Sequence, residues 1–345
     1  MTQPTVSVIV LGYNGRDYLD ACLSSLLDQE LPRSEYELLY VDNASSDGSP
    51  SFVRERFPDV RVVELERNFG FAEGNNRGVK ETSGRYIAVL NQDTVCHRRW
   101  LSALTGALEA RPDALAAHSN VLTPWCPGYD ARDREGEPSI VHVAELNCYG
   151  FVTYEQRPYS HEPIETVFLA GAATLVRREA VDRFGYLFDP DFFAYCEDTD
   201  LALRLRNLGA PNLQVPNAVV YHDLTPSTSI SWWTLRKTLL ILRNRGLAFY
   251  KNLGALELLG FLPWLVAGAP LKPGELALGR LRSVAYGLAL LPLVPVAFLW
   301  ALLLIPSVAG RRADVLRQRV LPRGALLRML RDGAAAAKQE RAGAP

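Results

Sequence analysis

Three short acidic clusters stand out in the 345 residues. Asp42 lies in Tyr40-Val-Asp-Asn-Ala-Ser-Ser-Asp-Gly-Ser49, and Asp93 in Val89-Leu-Asn-Gln-Asp-Thr94. Glu197-Asp198-Thr199-Asp200 precedes Leu201-Ala-Leu-Arg-Leu-Arg206. A carboxylate like Asp42 at a strand end accepts hydrogen bonds from a ribose hydroxyl or a base N–H. Asp93 could hold a hard divalent cation whose other ligands are diphosphate oxygens. Asp198 could serve as a general base, with Asp200 as a cap or support. Each cluster also has a plainer reading. Asp-Asn and Asp-Gly are turn formers, Asp caps helices, and acids suit the first turn of a helix. His222, after an apolar run, could be a metal ligand or a solvated histidine. The glycine-rich loop from Asn68 to Gly78 fits neither a dinucleotide fingerprint nor a Walker loop.

The elements around these residues alternate. Residues 6–11, Val-Ser-Val-Ile-Val-Leu, read as a buried strand closed by the turn Gly12-Tyr13-Asn14-Gly15. Leu19, Cys22, Leu23, Leu26 and Leu27 then recur at helical spacing. Strands are predicted at 37–41, 60–65 and 86–90, and helices at 49–57, 73–82 and 199–208. Such alternation predicts an α/β fold with a mostly parallel central sheet, whose ligands bind beyond the carboxyl ends of the strands. Residues 123–163, with five prolines and many charges, read as a long irregular segment. Strand-like pieces at 213–215 and 218–221 lead to His222. A helix is predicted over 232–252.

Charge divides the chain. Residues 1–230 hold 20 Lys+Arg against 33 Asp+Glu, and residues 231–345 hold 17 against 5. A basic C-terminal part implies an anionic partner. Its apolar runs favour a membrane surface over nucleic acid: 253–271 is apolar except for Glu257, and 283–309 has no charge in 27 positions. That run exceeds the ~20 residues needed to cross a bilayer core, with Pro292, Pro295 and Pro306 expected to kink it. Arg280, Arg282, Arg311 and Arg312 flank it on both sides, which suits a hairpin or interfacial helices. The Ala-rich tail from 333 reads as disordered. Five cysteines without a C-x-x-C pair predict reduced thiols, and the N-terminus lacks the pattern of a signal peptide.

In order and spacing, five motifs resemble the family 2 glycosyltransferases of GT-A fold, and specifically their bacterial rhamnosyltransferase-like branch. They are Val8-Ile-Val-Leu-Gly-Tyr-Asn14, Val41-Asp-Asn-Ala-Ser-Ser-Asp47, Arg67-Asn-Phe-Gly-Phe-Ala-Glu-Gly-Asn-Asn76, Leu90-Asn-Gln-Asp-Thr94 and Phe193-Ala-Tyr-Cys-Glu-Asp-Thr-Asp-Leu201. The resemblance runs from Val6 to about Asn252.

The resemblance implies a Rossmann-like nucleotide-sugar-binding fold and a role for each matching position. Tyr13 and Asp42 match positions that meet the nucleobase and ribose, and Asn76 an asparagine near the nucleotide. Asn75 stands where many relatives carry Arg. Asp93 matches the last acid of a metal-binding D-x-D motif whose first acid is here Asn91. Gly171 and Ala172 match the acceptor-side loop, beside which Glu197 is placed. Asp198 matches the catalytic base, and His222 a histidine that completes the metal shell in some relatives. The implied cofactor is Mg²⁺ or Mn²⁺. The implied reaction is inverting transfer of a sugar, rhamnose from dTDP-rhamnose first, to a lipid-linked or polysaccharide acceptor during cell-envelope glycan synthesis.

The expected division is a catalytic domain over 1–230 and a membrane-associating helical region over 231–345, at the cytoplasmic face of the inner membrane. Partners are then a nucleotide-sugar donor, a lipid-linked glycan and the membrane surface, with no nucleic acid. Another hexosyl- or galactofuranosyltransferase of the same fold, or an inactive nucleotide-sugar-binding scaffold, are the alternatives. A nucleotidyltransferase would need a triphosphate loop that Gly12-Tyr-Asn-Gly15 does not supply.

Overall fold

In a computed structural model, residues 4–124, 126, 130–136, 140–147, 149–223, 232–267 and 292–332 are described. They fall into two compact units that interleave along the chain. Unit 1 takes its described residues from Met1–Ala144, Tyr154–Phe193 and Ala210–Leu224, and unit 2 from Glu145–Thr153, Ala194–Gly209 and Thr225–Pro345.

Unit 1 is built on a sheet of nine strands among the described residues. In chain order its elements are β1 (Val6–Gly12), α1 (Arg16–Leu27), β2 (Tyr36–Asp42), α2 (Ser49–Arg56), β3 (Arg61–Glu64), α3 (Gly70–Lys80), β4 (Tyr86–Asn91), β5 (Thr94–Cys96), α4 (Trp100–Ala110) and β6 (Ala116–Leu122). After a ribbon of β7 (Ile140–Leu146) and β8 (Val152–Pro158) come β9 (Ile164–Thr166), β10 (Ala173–Arg177), α5 (Arg178–Phe184) and β11 (Asn212–His222). The order across the sheet is β3-β2-β1-β4-β10-β6-β11-β5, with β9 against β11.

From β3 to β4 the strands are parallel, as the alternation of strand and helix predicts. Beyond β4 the sheet is mixed: β10 runs antiparallel to both β4 and β6, β11 parallel to β6, and β5 and β9 antiparallel to β11.

Alternation along β1 explains the two layers. Val6, Val8 and Val10 share one face and join a core with Leu19, Cys22, Leu23 and Leu26 of α1 and Trp100, Leu101, Leu104 and Leu108 of α4. On the other face α3 approaches the sheet closely. A Cβ on Gly74 would lie 2.8 Å from Leu11, and one on Gly78 2.9 Å from Ile9. These glycines therefore belong to a helix pressed on the sheet. The stretch read as a glycine-rich loop is helical from Gly70 onward.

Unit 2 is helical: α6 (Glu197–Asn207), α7 (Trp232–Asn252), α8 (Ala255–Ala267) and α9 (Leu293–Arg317). α7 coincides with the helix predicted from the sequence. Arg243 of α7 lies over the Trp300 ring of α9 at 4.1 Å, and Arg312 of α9 over Tyr250 at 4.6 Å. Phe249 and Phe261 stack with centroids 4.0 Å apart.

Several expectations change. The segment 123–163 is not irregular throughout, since β7 and β8 pair within it; its prolines obscured the alternation of Val141 and Val143. The two pieces before His222 are one strand, β11, whose register shifts between Val215 and Val219 around Pro216. Pro306 sits inside α9, yet the helix runs through it for 25 residues. Positions 268–291, with Arg280 and Arg282, lie outside the described residues, as do Cys148 and the tail from 333. No disulfide joins Cys22, Cys96, Cys126 and Cys196.

Candidate active site

The register of unit 1 brings its candidate residues to one edge of the sheet. Gly12 at the end of β1 stands opposite Asp42 at the end of β2, and Leu11 opposite Asn91 at the end of β4. Because β10 is antiparallel, its first residue, Ala173, pairs with Leu90 at that same edge. Thr94 pairs with His222, the last residue of β11.

The β1 and β2 ends are tied together. The Asn43 amide N–H donates to the Gly12 carbonyl at 2.8 Å. Asp42 is buried, accepting from the Tyr40 hydroxyl at 3.2 Å and from the Ser45 N–H at 2.9 Å. Asn14, left-handed at φ 49, accepts from the Ser46 N–H and donates its own N–H to Ser45 Oγ. Burial works against the charge of Asp47, but bonds from Ser49 and the Arg16 amide hold its carboxyl below the usual range. Tyr13 is left half exposed beside this braced loop. The sequence reading gave Asn43 no role. Buried, it accepts from the Phe69 N–H and donates to Asn68 and the Gly70 carbonyl, fixing the entry to α3.

At the β4 end, Asp93 Oδ1 lies 3.2 Å from His222 Nε2, and Asn91 Nδ2 lies 3.4 Å from the same nitrogen. Asp93 caps no helix; it joins β4 to β5, and its carbonyl accepts from the Asp223 N–H. Asn91 Oδ1 and Gln92 Oε1 are buried without a hydrogen-bond partner, which is costly in a finished site. A carboxylate, an imidazole and an orphaned amide oxygen form a donor set that fits Mg²⁺ or Mn²⁺. Among the described residues no group of three or more His, Cys, Asp and Glu could hold an ion. Asp93 and His222 would therefore leave most positions to water and substrate oxygens. Gly171 and Ala172 form the turn into β10, and the Ala172 carbonyl accepts from the Asn91 N–H at 2.9 Å.

Asn76 is otherwise engaged. Its Nδ2 donates to the Phe188 carbonyl at 2.7 Å and its Oδ1 accepts from the N–H groups of Leu187 and Phe188. Beside it, Asn75 is fully buried with an orphaned Oδ1. A cavity of about 670 Å³, lined in part by Arg85, Glu109, Arg177 and Arg178, opens at the opposite ends of the strands. Its arginines are spent on Glu109 and on backbone carbonyls, so it offers little to an anionic ligand.

In unit 2, Glu197, Asp198 and Asp200 share the first turn of α6 and meet different environments. Asp200 is fully buried. Its Oδ2 accepts from Arg204 at 3.1 Å and Lys251 at 2.9 Å, and its Oδ1 from Asn252 at 2.9 Å. It is a support, not a cap. Glu197 is buried with Oε2 unpartnered; burial, reinforced by the neighbouring Asp198 charge, pushes its pKa well up. Asp198 is partly exposed, and its Oδ1 accepts from the Thr199 N–H.

Comparisons with known proteins bear on the family and the fold. The family model for Glycosyl transferase family 2 matches residues 7–185, just over half of the chain. The N-acetylglucosaminyl-diphospho-decaprenol L-rhamnosyltransferase of Mycobacterium tuberculosis is 29% identical over 241 residues, covering 64% of this chain and 76% of that one. Among solved structures, the mannosyltransferase PcManGT from Pyrobaculum calidifontis, in complex with GDP-Man and Mn²⁺, superposes with a TM-score of 0.56 at 21% identity, over 92% of this chain and 86% of that one. GalNAc-T7 with UDP, GalNAc and Mn²⁺ gives a TM-score of 0.60 at 16% identity, over 80% of this chain and about half, 52%, of that one. At such identities the structures speak to fold, which is GT-A. A GT-A sheet with its acids gathered at one edge, matched by the family model from β1 into α5, makes the chain a glycosyltransferase that belongs to family 2.

Proposed function

We propose that this glycosyltransferase is metal-dependent and inverting, and moves rhamnose from dTDP-rhamnose to a lipid-linked glycan acceptor in cell-envelope synthesis. The observation that carries the reading is the Asp93–His222 pair, 3.2 Å apart beside the orphaned Asn91 oxygen, at the end of the sheet where nucleotides bind. The Mycobacterium tuberculosis relative, named for a diphospho-decaprenol acceptor, supports the choice of sugar and acceptor.

In this reading Tyr13 and Asp42 bind the nucleoside, and Asn76 serves the donor by holding the backbone at Leu187 and Phe188. Asn91, Asp93 and His222 hold Mg²⁺ or Mn²⁺. When bound, the ion supplies charge neutralisation for the departing diphosphate. Gly171, Ala172 and Glu197 border the acceptor. Asp198 takes the proton of the attacking hydroxyl. One base and no protein nucleophile make a direct displacement, hence inversion at the anomeric carbon.

Residues 1–230 carry the reacting groups, and 231–345 hold the enzyme on the cytoplasmic face of the inner membrane. The support is α9, whose most apolar 18-residue window has mean hydropathy 2.2 with 11% of it buried. Phe298, Leu299 and Leu303 are among its exposed residues.

The test is a thermal-shift panel of nucleotide sugars with and without Mn²⁺. Donor binding to the folded state must raise its stability. Expected is a metal-dependent shift with dTDP-rhamnose, followed by transfer to a polyprenyl-diphosphate N-acetylglucosamine with inversion. A shift with UDP-galactofuranose or another UDP- or GDP-hexose instead would reassign the donor, and binding without transfer would make the chain a scaffold. Carbonate-resistant membrane binding of the full chain is expected; full solubility without detergent would overturn the membrane role.

A further inference from the structure

Immediately before Glu197 and Asp198 the backbone is left-handed at residues that carry side chains. φ is 62° at Phe193, 72° at Tyr195 and 65° at Cys196. Bulky residues seldom adopt these angles, and such turns persist only where the surroundings over-determine them.

The surroundings in unit 2 are one side of α7. Lys237, Ile241, Asn244 and Lys251 follow at helical spacing. The Lys237 ammonium lies 5.3 Å from the centroid of the Tyr195 ring, and the Cys196 thiol reaches the Ile241 carbonyl at 3.9 Å. Asn244 does most. Fully buried, it donates from Nδ2 to the Ala194 carbonyl at 2.9 Å and the Tyr195 carbonyl at 2.7 Å, so both amide hydrogens go to the turn. Its Oδ1 accepts from Arg243 Nε at 2.7 Å, and this sets the amide's orientation. Further along α7, Lys251 and Asn252 hold Asp200. The same helix thus grips the chain on both sides of the Glu197–Asp198 pair.

We propose that Asn244 is a positioning residue for sugar transfer: its amide holds the left-handed turn at 194–196 so that Asp198 is presented to the acceptor hydroxyl. This rests on the assignment of Asp198 as the base. Asn244 touches neither substrate nor the reacting atoms, and acts through the turn.

The test uses full-length protein in detergent. Asn244→Ala and Asn244→Asp, the second of similar size but unable to donate, are compared with Asp198→Asn, with the Asn244→Ala/Asp198→Asn double variant, and with Asn244→Ala/Cys196→Gly. Glycine at 196 relieves the left-handed strain without restoring the two hydrogen bonds. Rates are read with dTDP-rhamnose, Mn²⁺ and polyprenyl-diphosphate N-acetylglucosamine, and amide hydrogen exchange over 194–198 is read without substrate.

Expected are faster exchange over 194–198 and a kcat lowered roughly a hundredfold, the order of loss that a 1 Å misplacement produces, at unchanged donor KM. Also expected are no further loss in the Asp198→Asn background, and a thermal stability that Cys196→Gly restores while kcat stays low. Unchanged exchange, an equal loss in both backgrounds, or full recovery of kcat by Cys196→Gly would each overturn the proposal and leave the base assignment standing. If Asp198→Asn alone transfers normally, the base assignment fails and takes the proposal with it.

Discussion

Asp93 lies at the open end of a sheet, and Asp200 lies inside a bundle of helices, although the short motifs that carry them look alike as sequence. Asp93 is placed by backbone register: β5 pairs with β11, and that pairing sets Asp93 against His222. Its side chain stays partly exposed, with the His222 ring nitrogen at 3.2 Å. Asp200 is placed by side chains, with two cations and an amide taking both of its oxygens at zero exposure. One arrangement leaves bonding capacity for a ligand, and the other commits both oxygens to fixing a helix. Between these extremes stands Asp198, partly exposed in the same turn as Asp200. A carboxylate's surroundings are thus set by what reaches it, backbone register at Asp93 and buried side chains at Asp200.

Substitutions sharpen that contrast. The largest effect is expected at Asp198. Asp198→Asn should keep donor binding and slow transfer by ~10²–10⁴-fold, the usual contribution of a general base. Transfer within about tenfold of the native rate, measured alongside a donor thermal shift, would move the role to Glu197.

Asp200→Ala comes next. It leaves Arg204 and Lys251 buried without their anion, which costs about 3–5 kcal/mol. Denaturant unfolding reads this directly. A loss under about 1 kcal/mol, the range of exposed pairs, would show that the cluster is not what holds α6.

Asp93→Ala should leave the fold intact and weaken metal-dependent donor binding by more than the ~10–100-fold typical of outer-shell losses at metal sites. Calorimetric titration of donor with Mn²⁺, repeated with chelator, measures it. Affinity insensitive to both would remove the metal from this edge.

The smallest effect is a pH dependence. The folded state raises the pKa of Glu197 above its ordinary value of 4.5, through burial and the Asp198 charge. The buried acid is therefore fully accommodated below pH about 4.5, and its contribution is lost as pH rises through the folded pKa. Glu197→Gln should match the native chain in acid and become the more stable of the two as pH rises. Parallel stability curves from about pH 4 to about pH 8 would mean that Glu197 ionises in the folded protein as an ordinary carboxyl does.

Much of this was legible in the residues. The strand over 6–11 follows from its continuous β-branched run, the helix from Leu19 to Leu27 from apolar spacing, and the helix over 232–252 from its content of Arg, Lys and Leu, all of them local properties of the chain. So did the edge where Asp42 and Asp93 stand, because acids that follow predicted strands must lie at strand ends. What periodicity could not carry was pairing. Why Gly74 and Gly78 stand in a helix is not written locally, because their use, a close approach to Leu11 and Ile9, involves side chains far away in sequence.

The sequence alone determined the strands and helices from β1 to β4 and the helices over 199–208 and 232–252, where the charge changes sign, and which acids close those strands. Only the tertiary structure decided which of those acids have partners. His222 reaches Asp93 across 129 positions because β11 lies in the sheet between β6 and β5. Lys251 reaches Asp200 across 51 because α7 packs on α6. Asn76 is spent on the backbone at 187–188. A residue's type sets what bonds it can make; the order of strands and the packing of helices set which partners come within bonding reach, and that order is a property of the whole chain.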